Sequence, residues 1–332
     1  MSEDLETAGQ GWAEPCISVV VATHRRPDKI ARLLRLLSSQ TIGPDAFEVI
    51  VVDDFSRDNT EEVVSSVASE VPFGVRFLQT NSNRGPGPAR NLGWRGAATP
   101  FVAFTDDDCQ PDPGWLAAGL KTLESDLSLG VVQGRTQTEH RDDFPKSRWN
   151  HGIFVGSPTP YFETCNIFYR RQALEEGGGF GEQYNWWGGW YCEDTYAGWR
   201  VLDRGWARAY VDDALVFHDL TVRNLRWWID KSLVLCNEVG VAKAHPRFRR
   251  DAWWRPWSPR RWDAAFVVGS LGLLGALRWR PAALLALPYI WWRRPSVREP
   301  DFARRCAETV VVDSARTAGI LYGAVRHRML VI

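Results

Sequence analysis

The apolar positions of the first hundred residues switch between two periods. Ile17-Ser18-Val19-Val20-Val21-Ala22 is a β-branched run stopped by Thr23-His24-Arg25-Arg26-Pro27, which predicts a buried strand and a turn. Ile30, Leu33, Leu34 and Leu37 then repeat at helical spacing behind Pro27. Phe47 to Val52 is a second strand ending in Asp53-Asp54, and Ser56 to Thr60 opens a helix that turns Val63, Val64 and Val67 inward. Val75 to Leu78, a helix after Asn83-Arg84-Gly85-Pro86-Gly87-Pro88-Ala89-Arg90-Asn91, and a fourth strand from Phe101 follow. Strands alternating with helices predict an α/β fold: a mostly parallel sheet with helices on both faces. Beyond it, Pro113 to Leu123 reads as a helix, Val131 to Gln133 and Tyr161 to Tyr169 as strands, and Ala209 to His218 as a final strand pair.

The fourth strand runs into three consecutive carboxylates, Asp106-Asp107-Asp108. Like charges crowded at a strand end repel, so the cluster predicts a site for a divalent metal and a phosphate-bearing ligand. The competing reading is a loop in which one Asp caps the helix near Pro113-Gly114-Trp115. In such sheets ligands bind at the carboxyl ends of the strands, and here those ends carry Thr23, Asp53 and Asp106 to Asp108. A dinucleotide fingerprint would follow the first strand, whereas Gly85-Pro86-Gly87 follows the third, which argues against a nicotinamide or flavin enzyme.

Composition narrows this further. The 332 residues are 45% hydrophobic with a formal net charge of +0, so no global field points to nucleic acid. Six scattered cysteines show no zinc spacing and are expected to be reduced thiols of a cytoplasmic protein. Hard oxygen ligands suit Mg2+ or Mn2+. Met1 to Pro15 is polar and acidic, and residues 1–14 are expected to be a flexible lead without signal-peptide character.

The runs Ile17 to Pro27, Val49 to Ser56, Asn83 to Asn91 and Phe104 to Asp108 together resemble the family 2 glycosyltransferases of GT-A (Rossmann-like) fold, a likeness covering roughly residues 15–220. It implies a nucleotide-sugar-binding half over 15–112 and an acceptor-binding half over 113–220. By this likeness Asp53 contacts the nucleotide base, and Thr23 and Arg90 lie beside the nucleotide. Asp106 and Asp108 are the outer members of the DxD motif, Asp106 on the donor with Asp107 beside it and Asp108 on the metal. A turn cap for Asp53 and a solvated helix face for Arg90 stay open. The segment from Glu163 to Arg171 resembles the part of the family beneath the donor sugar, so Asn166 is either a sugar contact or a buried amide bonded to backbone. Glu193-Asp194, after a Trp/Gly-rich stretch, match the position of the family's catalytic base. Asp194 is the first choice and Glu193 the second; capping of the helix is the alternative. Trp186, Trp187 and Trp190 form either an acceptor stacking wall or core. His218 is placed near the metal by the likeness, or is structural. The resemblance implies one inverting displacement from a UDP- or dTDP-linked donor. Arg223 to Trp227 resembles the QxxRW motif of processive synthases, but Arg replaces Gln and no long apolar span is present, which favours transfer of a single sugar.

From Pro246 the composition changes. Arginines interleave with Trp253, Trp254, Trp257 and Trp262, giving a helical connector over 221–262. Ala264 to Leu277 and Pro281 to Trp292 are apolar, split by Arg278-Trp279-Arg280, and Asp301 to Ile332 reads as one amphipathic helix. Each apolar half is about 20 Å long as a helix, short of a roughly 30 Å hydrocarbon core. The 263–332 region is therefore expected to associate with the membrane interface, or to pack on the catalytic domain or a second subunit as a homodimer. A peripheral position at the inner face of the plasma membrane suits a polyprenyl-linked saccharide acceptor. A soluble acceptor, or a non-catalytic nucleotide-sugar-binding scaffold, are the alternatives.

Overall fold

The structure, a computed structural model, describes residues 14–138, 149–181, 192–294 and 301–331, with the backbone of Asn185–Trp186 and Gly189–Trp190. In chain order the elements are β1 (Ile17–Thr23), α1 (Pro27–Leu37), β2 (Phe47–Asp53), α2 (Thr60–Ala68), β3 (Gly74–Gln79), α3 (Pro86–Gly96), β4 (Phe101–Asp106), β5 (Cys109–Pro111), α4 (Trp115–Ser125) and β6 (Leu129–Thr138). There follow β7 (Asn150–His151), β8 (Asn166–Arg170), α5 (Arg171–Gly177), β9 (Asn185–Trp186), β10 (Gly189–Trp190), α6 (Glu193–Asp203), β11 (Ala207–His218) and β12 (Thr221–Val222). The chain ends in α7 (Leu225–Leu233), α8 (Cys236–Ala244), α9 (Pro246–Ala252), α10 (Arg261–Gly275), α11 (Leu287–Arg293) and α12 (Phe302–Arg326). It divides into two units: residues 1–144, 152–181 and 200–220 form the first, and 145–151, 182–199 and 221–332 the second.

The first unit is built on an eight-stranded sheet of order β3-β2-β1-β4-β8-β6-β11-β5. β3, β2, β1 and β4 are parallel, β8 enters antiparallel between β4 and β6, and β5 pairs antiparallel with β11. The expected mixed, mostly parallel sheet is present. Val19 and Val21 face the core shared with Leu33 and Leu34 of α1 and Val64 of α2. α3 covers the opposite face, where a Cβ on Gly93 would collide with Val20. On α4 a Cβ at Gly119 would overlap the buried Phe168 ring, so only glycine lets that helix sit at its observed depth.

Two strand predictions change. Tyr161 to Tyr169 is not one strand: Phe162 takes φ +55°, a turn follows, and pairing starts at Asn166. The predicted pair ending at His218 is a single strand, β11, whose register against β6 shifts between Val211 and Leu215. The bulge absorbs Asp212-Asp213, which sequence reading takes for a turn.

The second unit is helical. Asn224 caps α7 by accepting from the Trp227 N–H at 2.9 Å. Gly319 and Gly323 let α12 lie against the α7–α8 backbone, since a Cβ there would meet the carbonyl oxygens of Leu233 and Cys236. The second apolar half is not one helix: a 3-10 turn over Arg280–Ala286 precedes the short α11, and Pro281 and Pro288 sit at the two starts. α12 stops at Arg326, short of the predicted Ile332. No described helix is long and apolar enough to cross a membrane.

Buried ion pairs tie these helices together. Arg293 makes a two-pronged contact with Asp313 at 2.7 and 2.8 Å, and the Tyr289 hydroxyl donates to the same carboxylate. Arg316 lies 3.1 Å from Asp263, and the Trp253 indole donates to Glu238. Burial pushes the Asp263 carboxyl up to about 6, against the pull of Arg316 and Arg260.

Two outcomes are expected. Gly119→Ala should lower stability by about 1–3 kcal/mol through overpacking against Phe168, read as a lower urea midpoint. Because the folded pKa of Asp263 lies above its unfolded value of about 3.9, ionising it weakens the fold, and stability from this group rises as pH falls through about 6 toward about 4. Urea midpoints from pH 8 to 5 should therefore climb more in the wild type than in Asp263→Asn.

Candidate active site

The parallel register brings the polar strand ends together before any loop is considered. Thr23 lies opposite Asp53 across β1 and β2, and Ala22 opposite Asp106 across β1 and β4. The loops leaving this edge are tightly held. Arg25, Phe55 and Arg57 have φ near +60°, a region that costs a non-glycine residue about 1 kcal/mol or more. The Arg25 N–H donates to Ser56 Oγ at 2.7 Å, and His24 Nδ1 lies 2.8 Å from the Asp54 carbonyl. This geometry turns Arg26 back toward the acidic cluster.

Each predicted donor residue has a defined environment. Asp53 is buried and accepts from the Ser56 amide at 3.0 Å, the Ser56 hydroxyl and Gln79 Nε2 at 2.8 Å; the turn-capping arrangement weighed for it is therefore present. A carboxylate offers about four acceptor sites, so one remains. Thr23 donates to Asp107 at 2.7 Å, and Arg90, buried, reaches Asp106 at 2.8 Å. Burial raises the Asp107 pKa, opposed by the charge of Arg26. Asn166 is a buried amide satisfied by the protein: its oxygen accepts from Trp115 Nε1, and its nitrogen donates to the Arg135 and Ala214 carbonyls, each at 2.8 Å. Of the two readings weighed for Asn166, this is the structural one, and it locks β8 to β6 and β11.

The predicted metal residues meet although they are far apart in sequence. β5 pairs with the end of β11 so that His218 lies beside Cys109, and the Asp219 N–H donates to the Asp108 carbonyl at 2.9 Å. His218 Nδ1 is 2.8 Å from the Asp219 carbonyl, which assigns a ring proton there and leaves Nε2 3.5 Å from Asp108 Oδ1. Asp108, Cys109 and His218 present ligand atoms within 4.8 Å of one another. Burial and the neighbouring Cys165 push the Cys109 thiol well above its usual range, so it stays protonated and is a poor ligand for a hard ion. The carboxylate and imidazole are the donor set that fits a divalent metal.

Sequence reading missed the cations that hold these acids. Arg26 reaches Asp107 at 2.8 Å and Asp108 at 3.0 Å, Lys29 lies 3.5 Å from Asp108 and 3.3 Å from Asp219, and Arg32 bonds Asp219 at 2.8 Å. Burial tends to raise the Asp219 pKa, but the Arg32 hydrogen bond and the charges of Arg32 and Lys29 leave it below its usual value. The signal was present: three basic residues at spacing three on one face of a helix start. Asp54 was also missed as a loop clamp. It accepts from the Arg84 and Gly85 amides at 3.1 and 2.7 Å and from the Thr80 hydroxyl at 2.9 Å.

In the second unit Glu193 and Asp194 form the first turn of α6, where the helix dipole favours negative charge. Asp194 Oδ1 accepts from the Thr195 amide at 2.7 Å, a local capping contact. Burial lowers the Lys231 pKa, against the attraction of Asp194 and Glu193, so an ammonium of reduced basicity faces both acids. Lys231 was not anticipated. Trp187 and the side chains of Trp186 and Trp190 lie outside the described residues.

The sequence profile described as glycosyl transferase family 2 matches residues 18–187, just over half of the chain. The glycosyltransferase AglE of Haloferax volcanii is 27% identical over 212 residues, covering 61% of this chain and 67% of that protein. Across the curated relatives the matched part falls as low as 21% of the relative's length. Among solved structures, the mannosyltransferase PcManGT of Pyrobaculum calidifontis, in complex with GDP-Man and Mn2+, superposes with a TM-score of 0.59 at 18% identity over 95% of this chain and 87% of that one. TarS 1-349 of Staphylococcus aureus, in complex with UDP-GlcNAc, gives 0.51 at 18% identity over 94% and 92%. At these identities the superpositions establish a GT-A-like fold.

Proposed function

The chain belongs to glycosyl transferase family 2, and from that premise we propose that it transfers a single sugar from a nucleotide-diphospho-sugar to a hydroxyl acceptor with inversion. The observation that carries this reading is the convergence of Thr23, Asp53, Arg90, Asp106, Asp107, Asp108 and His218 on one sheet edge, with Asp108 Oδ1 and His218 Nε2 3.5 Å apart. Asp108 and His218 are the residues to hold Mg2+ or Mn2+, whose charge offsets the diphosphate of the leaving group. That a solved relative of the same fold carries GDP-Man and Mn2+, and another UDP-GlcNAc, supports both a metal and a nucleotide sugar without choosing the base. The remaining acceptor site of Asp53 is assigned to the base, and Arg90 keeps Asp106 oriented toward the donor. Asp194 is assigned the proton of the attacking hydroxyl, with Glu193 beside it. The tryptophans at 186, 187 and 190 are assigned to the acceptor.

The surface of the second unit supports a membrane-bound acceptor class. Leu271, Leu274, Leu277, Trp279, Leu284 and Trp291 are each more than 60% exposed. Arg278, Arg280 and Arg294 interleave with them, and Arg294 lies over the Trp291 ring at 4.4 Å. An apolar face edged with Trp and Arg fits the interface of a membrane containing anionic lipid, here the inner face of the plasma membrane. There it would reach a polyprenyl-linked saccharide in cell-wall or surface-glycan assembly.

Two measurements test these readings. In donor binding and turnover across a panel of nucleotide sugars with Mn2+ or Mg2+, one donor should bind in a metal-dependent way. Asp108→Ala should abolish that dependence, and Asp194→Asn should keep binding while lowering turnover by about 10²-fold or more. Donor binding without turnover of any acceptor would favour the scaffold reading. In flotation with phosphatidylglycerol-containing vesicles, the wild type should float and Leu274→Glu/Leu277→Glu should not. A concentration-dependent dimer that ignores vesicles would instead assign the face to a second copy.

A further inference from the structure

Four of the acids at this edge are already matched by cations. Asp106, Asp107, Asp108 and Asp219 are ion-paired to Arg90, Arg26, Lys29 and Arg32, four carboxylates against four cations. These pairs differ in how their cations are held. Arg90 is buried, with its guanidinium on Asp106. Arg26, the N-cap of α1, and Lys29, in its first turn, have side chains 41% and 31% exposed, and they share the Asp108 Oδ2 atom. The opposite oxygen of that carboxylate faces His218. A divalent ion drawn to Asp108 and His218 would therefore meet two cations already seated on its ligand.

We infer that Arg26 and Lys29 are exchangeable partners of Asp107 and Asp108 that move to the diphosphate of the donor when the site is loaded. This rests on the sugar-transfer reading above. A divalent ion alone would leave the cluster with uncompensated positive charge beside buried groups; a diphosphate restores neutrality. The two heads are long, partly solvated and mounted at a helix N-terminus, where the backbone also favours an anion. Arg26 reaches two carboxylates through one nitrogen, Nη1, leaving the rest of its donor fork for phosphate oxygens. Arg32, further along the helix and 39% exposed, bonds Asp219 rather than Asp107 or Asp108, and so keeps Asp219 beside the site without occupying the metal-side acids. In the absence of donor, the same cations suppress binding of stray metal ions to the acids.

Arg26→Gln, Lys29→Gln and the double variant separate this role from simple structural pairing, because it predicts changes of opposite sign. Mn2+ alone, followed by electron paramagnetic resonance, should bind each variant about threefold or more tighter than wild type, since Asp107 and Asp108 lose their competitors. UDP and GDP, titrated calorimetrically at saturating Mn2+, should show weakened binding for whichever the wild type prefers, by about tenfold or more per residue. A structural role would weaken both ligands together, and that result overturns the inference, as does an unchanged nucleotide affinity. Lys29→Arg keeps the charge and should retain nucleotide affinity within about threefold; a loss as large as that of Lys29→Gln also overturns it. Wild-type protein that binds neither nucleotide with any metal would overturn the transferase reading itself.

Discussion

Mutual repulsion among carboxylates at the carboxyl edge of the sheet is the constraint around which the first unit is arranged. Parallel pairing of β1, β2 and β4 stacks strand ends, and these strands end in Thr23, Asp53 and Asp106. Two more acids follow Asp106, and Asp219 arrives from β11. Burying such groups is unfavourable unless each is paired or hydrogen-bonded. The fold meets this with two cations from α1, one from its N-cap, one from α3 and a hydroxyl from β1. The polarity of the sheet thus determines both where the acids collect and which helix starts must be basic.

The loops at the same edge show how that arrangement is kept rigid. Asp53 and Asp54, adjacent in sequence, take different tasks. The first caps the turn to Ser56 and gathers Gln79, and the second clamps the amides of Arg84 and Gly85. Three non-glycine residues in the left-handed region are tolerated because these hydrogen bonds over-determine the backbone. The result is a preformed surface whose remaining freedom lies in the partly solvated side chains of Arg26 and Lys29.

The helical unit solves a different problem with similar means. Asp263, Asp313 and Glu238 are buried among helices that otherwise expose much apolar surface, and Arg260, Arg293 and Arg316 lie against them. Such pairs contribute little net stability against an apolar replacement, but they are specific in geometry. They set which faces of α10, α11 and α12 turn inward. Leucines and tryptophans are left on the outside.

Local pattern was sufficient to place the four parallel strands, their helices and the acids at the strand ends, because side-chain period and turn chemistry act within a few residues. Motif likeness supplied the family for the same reason: its residues lie in short runs at the strand ends. Contacts between distant segments were not legible. Nothing in the order of residues announced that β11 would run unbroken through Asp212-Asp213, since a bulge depends on the register of a neighbouring strand. The satisfaction of Asn166 by Trp115, Arg135 and Ala214 was equally hidden, because hydrogen-bond partners are chosen by packing. Periodicity alone showed Lys29 and Arg32 as the polar side of an amphipathic helix. Only the tertiary structure, by pairing β5 with β11 and seating α1 above them, decided that this polar side faces Asp108 and Asp219.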